Sequence, residues 1–418
     1  MFRLLKNKNF SLLFAGTFVS NIGTMFYNFA IGWFILSLTS SPFQAGLYIG
    51  VGSVLQLVST PLAGVIVDRV NKVKILVITD ALRGLAVLLG GWFIFTLDQT
   101  TAQLFILYLV TAVLALNAAF FSPAAMSIIP EIVESEKLNE ANAFFSFIRS
   151  FQTIIGVLLA GILYALIGIE IIFLINGISF LVSAVSEWFI TPSKIVKRTD
   201  ETPSFIKDFM AGLQYIRNKQ GFIPFLIVIL FLNFALSPFF ANILPVFFNL
   251  EMNKAPIHLS GVQIAFSIGS MIGGVVVGML GARLNVLKTL RRGISLTLLL
   301  VGLLGLIMHL TRMDSLSYSL FYGLFLAGSL ALAFVNMFVN IPLQTSLMRL
   351  IDASMRGRVM AVLDTLTQGL IPLAVVSTGL LLEYWTISAV LVVIFLVMSV
   401  PYMVLMKHRK LTLLLQTF

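Results

Sequence analysis

Cysteine is absent from all 418 residues, which excludes disulfides, thiolate metal sites and a cysteine nucleophile. Histidine is almost as scarce: His258, His309 and His408 lie far apart, a spread that argues against a His-rich metal centre. Charge is the third scarcity. Only 11% of the residues are charged, against about 25% in soluble domains, too few to clothe a water-soluble body. No Gly-rich phosphate loop or Walker-type stretch occurs either, which argues against ATP as an energy source. No catalytic constellation emerges, so neither an enzyme activity nor a cofactor is expected.

What fills the chain instead is apolar: 59% of the residues are hydrophobic and 37 are Phe. Between charge clusters stand about twelve runs, near 10–38, 43–67, 74–97, 102–128, 139–167, 171–191, 222–249, 257–282, 286–309, 315–341, 357–382 and 385–406. Each approaches or exceeds the roughly 20 residues that cross a hydrocarbon core. The first is too long for a cleavable signal core and is expected to stay as a helix. The fold class expected is an all-α polytopic membrane protein with 12 transmembrane helices.

Lys and Arg crowd into alternate connections, from Arg3, Lys6 and Lys8 to Lys407, Arg409 and Lys410. The opposite connections hold only Lys254 and Arg312. The positive-inside rule then predicts cytoplasmic N- and C-termini. The formal charge of +10 reads as a topology signal, and no nucleic-acid partner is expected.

The longest polar stretch, 191–220, opens with Pro192, Lys194, Lys197 and Arg198 and continues with Phe205, Phe209, Leu213 and Ile216 at helical spacing. It predicts a linker and an amphipathic helix at the membrane surface. The expected division is a six-helix bundle over 1–191, a linker with its helix over 192–220, and a second six-helix bundle over 221–418. The halves echo each other. Gly64, Asp68 and Arg69 match Gly278, Ala282 and Arg283 at an offset of 214 (278 − 64), and Asn28 matches Asn242 at the same offset. Asn117 and Pro123 match Asn336 and Pro342 at 219 (336 − 117), and Arg149 matches Asp364 at 215 (364 − 149). Two pseudo-symmetric bundles follow, an architecture suited to moving solutes across a membrane.

The loop Gly64-Val-Ile-Val-Asp68-Arg69-Val-Asn-Lys72 combines a glycine that allows a close helix approach, an acid at a membrane corner and basic anchors. It resembles the signature loop between helices two and three of the major facilitator superfamily. The resemblance implies that fold, and implies that Gly64, Asp68, Arg69 and Lys72 form a gating motif whose acid and arginine reach helix eleven. Arg356 and Arg358, which open helix eleven, are then the expected partners. Pro123-Ala124 with Ile129-Pro130-Glu131, Leu138-Asn139-Glu140-Ala141-Asn142, Phe205-Ile206-Lys207-Asp208 and Arg356-Gly357-Arg358-Val359 resemble the bacterial drug- and siderophore-exporter branch. Two departures stand out. Gly156 to Gly161 keeps the glycines of an antiporter motif without its proline, and the fourth run carries no acidic or basic residue.

Charges inside a bilayer are costly, by about 2.5 kcal/mol or more, so they mark candidate functional sites. Arg149 and Asp364 are singled out, about 10–15 Å along helices five and eleven at ~1.5 Å per residue. They read either as coupling residues, with Asp364 taking the proton, or as static stabilising partners. The resemblance places Asn21, Asn28, Asn117, Asn242 and Asn336 on cavity-lining helices, with Phe120, Phe121, Phe239, Phe240 and Met337 at similar depths. Each amide reads also as a packing bond to a neighbouring backbone. The function expected is proton-coupled export of amphipathic small molecules, drugs or siderophore-like compounds, by alternating access. The partners expected are substrate, protons and membrane lipids, and the protein is expected to act as a monomer in the bacterial plasma membrane. The alternatives are a lipid or lysolipid translocator and a non-cycling membrane sensor.

Overall fold

The computed structural model describes residues 2–67, 69–192, 205–352 and 354–416, and the side chains of most of them. Every regular element among the described residues is a helix. We number them α1 (Lys8–Thr39), α2 (Pro42–Val67), α3 (Lys72–Thr96), α4 (Thr100–Ile132), α5 (Leu138–Trp188), α6 (Phe205–Asn218) and α7 (Phe222–Glu251). After these come α8 (Pro256–Leu280), α9 (Val286–Arg312), α10 (Tyr318–Leu350), α11 (Arg356–Tyr384), α12 (Ile387–Lys407) and the short α13 (Arg409–Gln416).

Ten stretches among the described residues are long and apolar enough to cross a membrane. Helix α3, which carries Lys72, Lys74, Asp80 and Arg83, and the first arm of α5 complete the twelve. α5 is two helices, not one: Gly168 breaks it with φ +74 and ψ 174, a conformation open to a residue without Cβ. That break falls between the fifth and sixth apolar runs.

In lipid a helix meets its backbone bonds internally, and only its ends need other partners. Short polar side chains supply them. Asn71 Oδ1 accepts from the Lys74 N–H at 3.2 Å, and Asn285 Oδ1 accepts from the Lys288 N–H at 3.0 Å. The two caps are 214 residues apart (285 − 71), so the internal repeat is also a repeat of local structure. α7 departs from regularity: Phe239–Ile243 and Phe247–Glu251 are π turns around Leu244–Val246. Pro245 has no N–H to offer the preceding turn, and the helix widens around it.

The chain divides into two compact units, Met1–Glu201 with Lys254–Ser260, and Thr202–Asn253 with Gly261–Phe418. In the first, α1 packs on α5, α3 on α4 and α5, and α2 on α4. In the second, α7 packs on α11 and α12, α9 on α10 and α12, and α8 meets α10 where Gly273 lies against Phe334 and Met337. The helix pairings of one unit therefore recur in the other. Aromatic rings fill both cores. Phe10 and Phe144 approach to 5.8 Å between centroids in the first, and Phe247 and Phe321 to 5.3 Å in the second.

Candidate functional site

At the α2–α3 corner the structure resolves part of the expected gating motif. Asp68 lies outside the described residues. Arg69 is exposed, and no described atom comes within 4 Å of where a Cβ on Gly64 would stand. The close helix approach expected at Gly64 is therefore absent among the described residues. Lys72 does more than anchor: its Nζ forms an ion pair with Glu131 Oε1 at the end of α4, the two side chains only 15% and 8% exposed. Asn71 holds the start of α3, and the Lys72 ammonium ties that start to α4.

Helix eleven of the sequence reading is α11, and its basic start is held by α6. Arg358 Nε meets Asp208 Oδ1 at 2.6 Å. Gly212 sits where a Cβ would come 2.7 Å from the Arg358 carbonyl oxygen, so only glycine permits this crossing. Further along α6, Tyr215 Oη accepts from the Asp352 N–H at 3.1 Å and donates to the Leu350 carbonyl at 3.3 Å. Lys219 Nζ reaches the Leu350 carbonyl and lies 3.6 Å from Asp352. The amphipathic helix expected in the linker thus clamps the α10–α11 turn. Arg356 donates to the Met348 carbonyl at 3.3 Å within the same turn.

The candidate cavity residues separate into two groups. Asn21 and Asn28 stand exposed two turns apart on one face of α1, and Asp364 is exposed on α11 with no ion-pair partner among the described residues. Asn117, half-buried, donates to the Val113 carbonyl of its own helix at 2.7 Å. Asn336 accepts from Asn340 one turn on, and Met337 and Phe120 are half-buried. Phe240 is half-buried beside Phe266, 4.5 Å between centroids. Three expected wall residues are instead core. Phe239 is 1% exposed and Asn242 1%, and the Asn242 Nδ2 donates to the Val375 carbonyl of α11 at 2.9 Å. Phe121 is buried too, its ring beneath the Arg83 guanidinium at 4.2 Å. The Arg149 side chain lies outside the described residues.

Sequence reasoning passed over a buried charged group in the first unit. Asp80 and Arg83 of α3 form an ion pair, and Glu187 on the second arm of α5 is fully buried beside them. The signal was present, because the spacing Asp80-x-x-Arg83 puts both side chains on one helix face. Two charged residues only slightly lower the hydropathy of a long apolar run, and Glu187 lies in a different run with no local sign that it joins them.

Among the described residues, ten helices long and apolar enough to cross a membrane, joined by α3 and the first arm of α5 in two like-paired sets, define a multi-pass membrane transport protein. The chain belongs to the major facilitator superfamily, whose family model matches residues 13–375. Macrolide efflux protein A of Streptococcus pyogenes is 24% identical over 273 residues, 65% of this chain. The match spans 66% of that protein, just under two thirds of its length. The multidrug efflux pump Tap of Mycobacterium bovis (strain BCG / Pasteur 1173P2) is 25% identical over 315 residues, 71% of this chain and 70% of the pump. A bacterial homologue of the iron transporter ferroportin, solved in an inward-facing state, has the same fold, with a TM-score of 0.75 and 17% identity. That likeness covers 97% of this chain and 98% of the other.

Proposed function

We propose that this transporter exports amphipathic small molecules in exchange for protons, by alternating access, from the cytoplasmic side of a bacterial plasma membrane. Asp364 carries this reading. It is an exposed carboxylate two turns inside an apolar membrane helix, with no ion-pair partner among the described residues. A charge so placed is tolerated only where it faces water or protein rather than lipid. A solvent-reaching acid there suits a proton carrier. Asn21 and Asn28 on the exposed face of α1 offer the sparse amide groups that orient a bulky, mostly apolar solute. The names of the macrolide and multidrug efflux relatives support the same class of substrate.

The gate in this reading uses the loop Gly64–Lys72 and the start of α11. Arg69 is its exposed base and Lys72 braces it against Glu131, while Arg356 and Arg358 supply the basic start of α11, where Asp208 holds Arg358. Both termini lie in the cytoplasm and the protein works as a monomer among membrane lipids. The test is flux in proteoliposomes with and without a pH gradient. Gradient-driven movement of a macrolide or a lipophilic dye supports the reading. Gradient-independent flipping of a headgroup-labelled lipid, or saturable binding without flux, overturns it.

A further inference from the structure

The charged group between α3, α4 and the second arm of α5 has no part in the reading above. Asp80 and Glu187 are 0% exposed and Arg83 is 8% exposed. Arg83 Nη2 pairs with Asp80 Oδ1, and Glu187 also attracts the guanidinium. The guanidinium is sandwiched by aromatic faces, 4.2 Å from the Phe121 centroid and 4.7 Å from that of Phe180. Its Nε donates to the Thr79 carbonyl at 3.4 Å. Ser183 Oγ donates to Glu187 Oε1 at 3.4 Å. Asp80 Oδ2 and Glu187 Oε2 remain buried without a hydrogen-bond partner among the described residues.

With every group ionised the cluster holds two carboxylates and one guanidinium, a net charge of −1. The surrounding helices bring nothing to balance it among the described side chains. The one charged residue of α1 is Lys8, at its first position, and the one of α4 is Glu131, already paired with Lys72. Lys72 and Lys74 stand at the start of α3, and Glu170 at the far end of the α5 arm. An unbalanced charge away from water is strongly disfavoured. One proton removes it and turns an orphan carboxylate oxygen into the donor that its neighbour lacks.

We infer that Asp80 and Glu187 share one exchangeable proton against Arg83, forming a protonation site in the first unit, separate from Asp364 in the second. Two carboxylates around a single guanidinium titrate as a unit, so the proton belongs to the pair rather than to either residue. A second site of this kind lets each unit sense protonation on its own. Its role in transport rests on the proton-exchange reading; its existence does not.

The test is infrared difference spectroscopy on the purified full-length protein between mildly acidic and mildly alkaline pH, in Asp364→Asn, which silences the other proposed proton site, alone and combined with Glu187→Gln or Asp80→Asn. Each combined variant leaves one carboxylate to neutralise Arg83, so each retains a balanced core, and two variants guard against one failing to fold. The expected result is a protonated-carboxyl stretch that disappears on alkalinisation in the Asp364→Asn protein and is missing once either further substitution is added. A pH-dependent carboxyl stretch that survives in both combined variants overturns the inference. So does a Glu187 stretch that persists unchanged at alkaline pH, which marks a fixed structural proton. If the stretch behaves as expected while wild-type liposomes show no gradient-driven flux, the transport reading has failed and the site stands.

Discussion

Asp364 and Asn242 occupy neighbouring helices of one unit and make opposite predictions. Asp364 is exposed, about 12 Å along α11 from Arg356 at ~1.5 Å per residue. Asp364→Asn removes the titrating group and keeps its shape. Gradient-driven efflux should fall by on the order of tenfold or more, with equilibrium substrate binding unchanged. Full gradient-driven flux in this variant contradicts a carrier role. Asn242 is a buried tie from α7 to the Val375 carbonyl. Asn242→Leu should cost about 1 kcal/mol, within the range measured for interhelical bonds in membranes. It should lower thermal stability while leaving KM in place, and a large KM change instead returns Asn242 to the cavity wall. The reason this distinction was not legible in the sequence is physical. Helices that are apolar all round carry no stripe to show which face is inward, so Phe121 and Phe239 read as wall residues when they are core.

At the scale of elements, two clamps hold the ends of helices. Lys72→Met removes the ammonium paired with the largely buried Glu131 of α4 and should be destabilising, by at most the roughly 3–5 kcal/mol that breaking a buried pair costs. Lys72→Met with Glu131→Leu should recover most of that loss, as read by thermal unfolding in detergent; a single variant as stable as wild type shows the pair to be idle. On α6, the Asp208–Arg358 pair is about half exposed, with side chains 36% and 48% accessible. A double-mutant cycle should therefore return only about 0.2–1 kcal/mol. The glycine matters more. Gly212→Leu drives a side chain into the Arg358 backbone, so α6 should lift away and trypsin should cut after Lys207 or Arg217 several-fold faster than in wild type. An unchanged digestion rate contradicts the clamp. The helical spacing from Phe205 to Ile216 announced α6 itself. Its docking site did not show, because a contact with residues about 140 positions away leaves no periodic trace (350 − 215 = 135 for Tyr215 and Leu350).

For the whole molecule, the number of helices, the break near Gly168 and the internal repeat were all readable, because membrane-length apolar runs and short polar caps are local features. The offset of 214 that linked Gly64 to Gly278 also links the caps Asn71 and Asn285. The π turns of α7 and the Asp80–Arg83–Glu187 cluster were hidden, since both depend on what packs against the helix. Sidedness follows from the placement of Lys and Arg and can be tested cleanly, because a chain without cysteine gives no labelling background. In intact cells an impermeant maleimide should label Lys254→Cys and spare Lys137→Cys until the membrane is opened; the reverse order refutes the topology.

The most direct test of the account is proton movement coupled to substrate movement. Purified protein in liposomes loaded with a pH indicator, given an amphipathic drug and no other driving force, should shift the internal pH in the sense of drug–proton exchange. Asp364→Asn should abolish that shift. Drug flux that proceeds with no proton movement in wild type contradicts the central claim.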